Sequence, residues 1–235
     1  MTVRHPATSF SSASTRPSTS WRSASTATSS PASRAASLVI GPIETTRAPA
    51  GKGLLYSAIL RPLDKRHLLL PLSVPIAVCE AAESLRPGAD CQIKWPNDVW
   101  LDERKLAGIL IEARPQDGWA VIGVGLNLSV EPDEFPDELR WPAISLGGAE
   151  GELAGRPGRE AARAALDAAL DRWVAEDAGT ILSAWRSRDA LRGREIAWDD
   201  ASGVADGVDD RGNLLVVVAG GDRVALGAGE VHLRP

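Results

Sequence analysis

Polar side chains suited to binding an anion are concentrated in one block of the sequence, residues 94–127. The block holds two lysines, two asparagines and an aspartate near the ends of apolar stretches: Lys94, Asn97, Asp98, Lys105 and Asn127. Cations beside amide and carboxylate groups are suited to a ligand that carries a carboxylate or a chain of phosphates. The block therefore predicts a site for an anionic ligand.

Glycines accompany these polar residues. Gly108 lies three positions beyond Lys105, and Gly123 and Gly125 alternate in the next apolar stretch. A glycine inside a strand marks a close approach of backbone or ligand. Simpler explanations stay open at this point, namely solvated lysines at strand ends and ordinary turn chemistry after Pro96. A dinucleotide-binding loop around Gly123 is disfavoured, because the third glycine and a following helix are missing.

Regular elements on both sides would position this block. Alternating or continuous apolar residues predict strands over 54–60, 91–94, 105–113 and 119–128. Apolar periodicity predicts helices over 68–85, 159–175 and 181–191. The first half of the first helix is wholly apolar, so we expect it to be buried. Residues 131–142 read as an acidic, proline-rich loop, and short β-like runs after Gly193 predict a small β-barrel.

Composition excludes several classes of protein. Of the 235 residues, 44% are hydrophobic and 24% charged, which is typical of a globular chain. No apolar stretch approaches the roughly 20 residues of a membrane span, so no membrane partner is expected. Cys79 and Cys91 cannot form a disulfide framework, and three scattered histidines predict no structural metal. A reducing, cytoplasmic setting is therefore expected.

Charge is unevenly distributed along the chain. Residues 1–43 contain four arginines and no acid, whereas the remainder carries 22 basic and 31 acidic side chains. An acidic body argues against nucleic acid as a partner, because such binding depends on neutralising phosphates. Residues 1–37 are rich in Ser, Thr, Ala and Arg and show no periodicity, which predicts a disordered or non-native segment. A transit peptide has similar composition and stays an alternative.

Three motifs together resemble the biotin protein ligase family. They are Lys-Trp-Pro-Asn-Asp from Lys94, Lys-Leu-Ala-Gly-Ile-Leu from Lys105, and Gly-Val-Gly-Leu-Asn from Gly123. The resemblance runs from about Gly51 to the end. It implies an α+β fold with a mixed, largely antiparallel sheet and flanking helices, related to class II aminoacyl-tRNA synthetases, plus a small C-terminal SH3-like β-barrel. The implied division is 1–37, a catalytic domain at 38–190, and the barrel at 191–235.

The resemblance also implies a reaction. In this family biotin and Mg·ATP form biotinyl-5′-AMP, and a lysine of a biotin carboxyl carrier protein then displaces AMP. By motif position, Lys105 matches the catalytic lysine, which also binds biotin together with Gly108. Nucleotide-binding positions are matched by Lys94, Asn97 and Asn127. Asp98 is expected to orient the acceptor lysine or the metal, and Trp95 is expected to lie in the core.

The first 50 residues depart from the family pattern. A Ser-Thr-Asn/Gln segment and a Gly-Arg-Gly-Arg-Arg-Gly loop, which closes over biotin, are absent from the expected places before Gly51. We therefore expect that the chain is a poor ligase or leaks adenylate, and an out-of-frame or truncated start is a hypothesis. Alternatives are a non-catalytic remnant that binds biotin or nucleotide, and a lipoate–protein ligase-like enzyme. Residues 1–50 predict no winged helix for transcriptional repression.

Overall fold

Two antiparallel sheets and three α-helices make up the part of the chain that the computed structural model describes. The described residues are 49, 51–139, 141–147, 158–229 and 231–233. The predicted segment 1–37 lies outside them. The observed mixture of antiparallel sheets and few helices confirms the α+β class expected from the sequence.

The first sheet has five strands in the order β1-β5-β4-β3-β2. Their bounds are β1 Gly53–Leu60, β2 Cys91–Lys94, β3 Asp98–Leu101, β4 Arg104–Arg114 and β5 Trp119–Asn127. Each neighbouring pair is antiparallel. Alternate residues of β1 from Leu54 to Leu60 are buried, while Leu55, Ser57 and Ile59 are exposed. One face of the sheet therefore packs on the core, and the other is open at this edge.

Helices cover the packed face. Their bounds are α1 Leu70–Leu85, α2 Arg159–Trp173 and α3 Ala178–Ser187, and α1 packs against α2, α3 and strands of the first sheet. A 3₁₀ helix, Lys65–Leu69, leads into α1. The helical stretch Lys65–Leu85 is long and apolar enough to cross a membrane, but 67% of its most apolar window is buried inside the protein. We interpret it as a core helix.

The second sheet has the strand order β10-β6-β7-β8-β9. Its strands are β6 Glu195–Trp198, β7 Ala201–Val208, β8 Leu214–Val218, β9 Arg223–Leu226 and β10 His232–Leu233. Gly203 permits close packing of β7 on β8, because a Cβ there would lie 2.5 Å from the carbonyl oxygen of Val217. Closure of this sheet into an SH3-like barrel, the relation to class II synthetases and the domain boundary at 190/191 stay predictions.

Two strands were missing from the sequence prediction. Asp98 begins β3 rather than lying in a turn, and the two-residue connection to β4 is Asp102-Glu103, both with positive φ. β7 has small residues and no apolar alternation, and it is held by pairing with β6 and β8. The third predicted helix, 181–191, is displaced, since α3 begins at the Asp177 cap and ends at Ser187. Between β4 and β5, Pro115–Asp117 forms a short 3₁₀ helix that ends in left-handed Gly118.

Candidate functional site

One row of residues crosses all five strands of the first sheet. Directly opposed pairs join Lys94 to Asp98, Asp98 to Gly108, Gly108 to Gly125, and Gly125 to Leu55. Opposed residues of antiparallel strands project from the same face. The open face therefore carries a row with charged groups at one end, two glycines in the middle, and Leu55, which is 79% exposed, at the other end.

Lys105 joins this row through a β-bulge. Between β3 and β4 the register shifts, so that Trp100 opposes Lys105 and Val99 opposes Ala107, with Leu106 as the additional residue. The Lys105 Nζ atom lies 2.8 Å from Oδ1 of Asp98. Lys105 is 9% exposed and Asp98 is 7% exposed. The site therefore holds an ammonium in a fixed position with little water around it.

Gly108 leaves space beside that ammonium. A Cβ built on Gly108 would lie 3.4 Å from Cε and 3.6 Å from Nζ of Lys105, and 3.8 Å from Oδ1 of Asp98. Across the strand pair, a Cβ on Gly125 would meet Leu55 at 3.9 Å. Larger side chains at the two glycines would extend over the row. Their absence allows a ligand to lie against the main chain between Lys105 and Leu55.

Lys94 occupies an aromatic environment. Its side chain is fully buried, and its Nζ lies 5.0 Å from the ring centroid of Trp141 and 5.9 Å from that of Trp100. Both distances fall within the range of cation–π attraction. The two indoles contact each other with centroids 5.6 Å apart, and His232 stacks on Trp141 at 6.3 Å with an interplanar angle of 16°. We call Trp100, Trp141 and His232 the aromatic cluster.

Two asparagines flank the row and fix the main chain around it. The side-chain amide of Asn97 donates to the carbonyl of Ile109 at 2.9 Å, and the Ile109 amide donates to the Asn97 carbonyl at 2.9 Å. The Nδ2 atom of Asn127 donates to the carbonyl of Ile144 at 3.1 Å. Asn127 is buried, and in the described part of the chain its Oδ1 atom accepts no hydrogen bond. That oxygen remains available to a ligand.

The structure brings most of the predicted site residues together. Lys94, Asp98, Lys105 and Gly108 lie in or beside one row, with Asn97 and Asn127 at its flanks. Trp95 is 3% exposed, which confirms its place in the core. Arg104 begins β4, and its guanidinium lies 3.8 Å from the exposed Asp102 carboxylate.

Sequence reasoning missed the aromatic cluster. Trp141 lies in a segment interpreted only as an acidic loop, and Trp100 lies in the unpredicted strand β3. An available signal was Trp141-Pro142, an indole side chain near the end of an acidic loop that also contains Phe135. Among the described residues, no group of three His, Cys, Asp or Glu side chains could hold a metal ion.

Comparison with known proteins agrees with this geometry. Residues 45–128 match the Biotin/lipoate A/B protein ligase family. The biotin--[acetyl-CoA-carboxylase] ligase of Mycobacterium tuberculosis is 35% identical over 177 residues, covering 70% of this chain and 62% of that protein. The bifunctional ligase/repressor BirA of Escherichia coli is 31% identical over 199 residues, covering 80% of this chain and 60% of that protein. The chain thus spans about three fifths of these curated relatives.

A solved structure shares the fold. The crystal structure of biotin protein ligase from Aquifex aeolicus superposes with a TM-score of 0.65 at 25% identity, covering 78% of this chain and 83% of that one. With the sequence matches and the motifs on β2 to β5, this similarity defines the class. The chain belongs to the biotin protein ligase family.

Proposed function

We propose that the chain catalyses ATP-dependent ligation of biotin to a lysine of a carrier protein through biotinyl-5′-AMP. The observation that carries the proposal is the buried Lys105 ammonium, 2.8 Å from Asp98 and beside the space over Gly108. The row on the open face has a charged end and an apolar end, which matches a ligand with a carboxylate and an apolar body. Membership of the biotin protein ligase family favours biotin as that ligand.

In the proposed first step a carboxylate oxygen of biotin attacks the α-phosphorus of ATP, and the bond from that phosphorus to pyrophosphate breaks. Both reactants are anions, so the reaction needs positive charge that is already in place. Lys105 supplies it in a partly desolvated site, where a preorganised donor is worth far more than in water. In the second step a neutral lysine amine of the carrier attacks the biotinyl carbonyl carbon, and AMP leaves.

The other site residues receive supporting roles. Lys94, Asn97 and Asn127 are proposed to contact the nucleotide, and Asp98 to orient the acceptor lysine once its pairing with Lys105 is weakened. Mg²⁺ would be carried chiefly by the phosphates, as is usual for this ion. The Oδ1 oxygen of Asn127 and the Asp98 carboxylate are oxygen donors of the type that Mg²⁺ prefers and would help to hold the ion, which when bound would neutralise charge on the phosphates.

The proposal includes the setting of the enzyme. Its macromolecular partner is a biotin carboxyl carrier protein or domain, in the cytoplasm, with neither nucleic acid nor membrane as a partner. Residues 38–190 would form the catalytic domain and 191–235 the small β domain.

We further propose that this chain retains its adenylate poorly. Residues 41–50, which precede β1, contain no Gly-Arg repeat. Charge-assisted hydrogen bonds contribute about 1.5–3 kcal/mol each, so the loss of two would weaken adenylate binding by orders of magnitude. If purified protein keeps biotinyl-AMP bound through gel filtration, this part of the proposal is wrong.

Biotin-dependent exchange of labelled pyrophosphate into ATP tests the first step. We expect Lys105→Ala to lower the exchange rate about 10²–10³-fold, because one preorganised charge is removed. Lys65→Ala is the matched control, since Lys65 is exposed on the 3₁₀ helix before α1 and should leave the rate unchanged.

Three outcomes separate the candidates. The proposal is supported if biotin stimulates pyrophosphate exchange and Lys105→Ala abolishes that exchange. Binding of biotin without any exchange favours a non-catalytic remnant, a candidate that the missing Gly-Arg repeat supports. Exchange supported better by lipoate than by biotin favours a lipoate ligase, which the joint family name leaves as the alternative.

A further inference from the structure

An irregular segment, residues 141–146, contacts the main chain of Lys105 at the edge of β4. The Lys105 amide donates to the carbonyl of Pro142 at 2.8 Å, and the Ile144 amide donates to the carbonyl of Lys105 at 3.0 Å. Ala143 and Lys105 thereby form a parallel bridge. The main chain of Lys105 is consequently fixed on one edge by a segment that has no regular structure of its own.

The same segment also fixes Asn127. The Ile144 carbonyl accepts from Nδ2 of Asn127 at 3.1 Å, and the Leu146 amide donates to the Asn127 main-chain carbonyl at 3.1 Å. Displacement of residues 141–146 would therefore move two residues of the proposed site together, Lys105 and Asn127.

Trp141 begins this segment and is held by packing. Its indole Nε1 is buried and donates no hydrogen bond to any described residue. Its ring instead contacts Trp100 of β3, the Lys94 ammonium of β2 and the imidazole of His232 in β10. Loss of the stacked imidazole would leave the Trp141 ring with fewer groups to hold it in place.

His232 brings the second sheet into contact with this arrangement. It lies on β10, the edge strand that pairs with β6, and its imidazole is nearly parallel to the Trp141 ring. Other contacts between the two sheets, such as the Trp95 indole donating to the Gly212 carbonyl at 3.1 Å, lie outside the aromatic cluster. His232 is therefore placed to act on the segment that holds Lys105.

We propose that His232 is a positioning residue: by stacking on Trp141, it holds segment 141–146 and thereby sets the positions of Lys105 and Asn127. This inference rests on the proposed function. Its consequence is that the small C-terminal sheet contributes to the reaction without touching a reactant. A shift of about 1 Å in a reacting group can lower a rate as much as 10²-fold.

The test compares variants of the full chain by the steady-state kinetics of biotin-dependent pyrophosphate exchange. We expect His232→Ala to lower kcat about tenfold while the KM for biotin stays within twofold. His232→Phe keeps a flat ring and should recover at least half of kcat. Val224→Ala is the matched control, because Val224 is exposed on β9 of the same sheet, and its kinetics should not change.

The kinetics of these variants can support or overturn the positioning role of His232. If His232→Ala matches the unchanged chain, or if Val224→Ala loses as much, the inference is overturned while the proposed function stands. If the unchanged chain shows no biotin-dependent exchange, the proposed function fails and the inference fails with it. If His232→Ala does not fold, His232→Asn replaces it, and equal kcat values for His232→Asn and His232→Phe overturn the inference.

Discussion

The buried pair of Lys105 and Asp98 is the residue-scale feature on which the chemistry depends. Removing two charges from water costs several kcal/mol per ion, and their attraction offsets that cost only with good geometry. A pair at 2.8 Å with both side chains about one tenth exposed is thus poor evidence for stability. It is better explained as a means of keeping an ammonium oriented and shielded from bulk water until a ligand carboxylate arrives.

Gly108 gives a prediction at this scale. Valine at position 108 would project methyl groups over the row beside the Lys105 ammonium, because even a Cβ there lies 3.4 Å from Cε of Lys105. We expect Gly108→Val to raise the dissociation constant for biotin at least tenfold, as measured by isothermal titration calorimetry, and Gly108→Ala to have a smaller effect.

Val121→Ile is the control for this substitution. Val121 alternates with Gly123 and Gly125 on the same face of β5 but opposes Glu112, farther along the strands. We expect Val121→Ile to change the dissociation constant for biotin by less than twofold. Equal affinity of the Gly108→Val protein and the unchanged chain would place the ligand elsewhere.

At the residue scale, local motifs predict which residues lie near one another. The motif that begins at Lys94 and the one that begins at Lys105 predict that Lys94, Asp98, Lys105 and Gly108 converge, and the fold brings these four residues together, although their roles stay predictions. The aromatic cluster was beyond reach for a physical reason. His232 and Trp141 are far apart in sequence and meet only because the second sheet packs near the first, which no local pattern encodes.

At the scale of elements, Tyr56 ties β1 to α2. Its hydroxyl donates to Oδ1 of Asp167 at 2.7 Å, and Arg163 donates to the other oxygen of the same carboxylate at 2.7 Å. Burial, together with the Asp167 carboxylate, raises the pKa of Tyr56, so the phenol remains a donor at neutral pH. This contact joins the edge strand of the first sheet to the helix layer.

Tyr56→Phe should remove the hydrogen bond between β1 and α2 and leave the candidate site unchanged. We expect the free energy of unfolding to fall by about 1 kcal/mol, because one hydrogen bond is lost while Asp167 keeps its partner Arg163. Urea denaturation monitored by circular dichroism measures the loss, and pyrophosphate exchange should be unaltered. A decrease above 3 kcal/mol would show that the ring itself had moved.

Element prediction failed at β3 for reasons that the turn makes clear. The connection Asp102-Glu103 has positive φ at both residues, a conformation usually supplied by Asn-Gly or Asp-Gly. Without a glycine there is no hairpin signal between β3 and β4, so local sequence does not predict β3 as a strand. The strands β1, β4 and β5 are predicted because their apolar pattern is long and continuous, whereas β7, which is as long as β1, has small residues and no apolar alternation.

At the scale of the whole molecule, Asp189 lies where the two sheets adjoin. Its main chain bridges to Ile93 of β2, and its Oδ1 accepts from the Leu191 amide at 2.9 Å. Its Oδ2 is buried and accepts no hydrogen bond from the described residues, and a Cβ on Gly207 of β7 would lie 3.9 Å from it. Burial raises the pKa of this carboxyl. The charged form is therefore a cost to the fold.

Asp189→Asn should remove the penalty for burying a charged carboxylate, and the resulting gain in stability should depend on pH. Since the folded pKa is raised, the unfolded chain loses its proton first as pH increases, so the penalty develops above the ordinary Asp value of 3.8 and is complete above the folded pKa. We expect Asp189→Asn to raise Tm at pH 7, with the gain shrinking toward pH 4.

Asp200→Asn, in the exposed turn between β6 and β7, is the control for this effect. Differential scanning calorimetry of both variants across this pH range measures the difference. A gain that is the same at pH 4 and pH 7 would mean that ionisation of Asp189 is not its cause.

The row from Lys94 to Leu55 draws one residue from each of five strands, and this has a consequence for how the chain can change. Side chains alternate along a regular strand, so one inserted or deleted residue that keeps the strand regular would turn that strand's contribution inward, into the core. Point substitutions can adjust the ligand surface gradually. Changes of length can be absorbed in the connections, in a bulge such as the one at Leu106, or in pairs that restore parity.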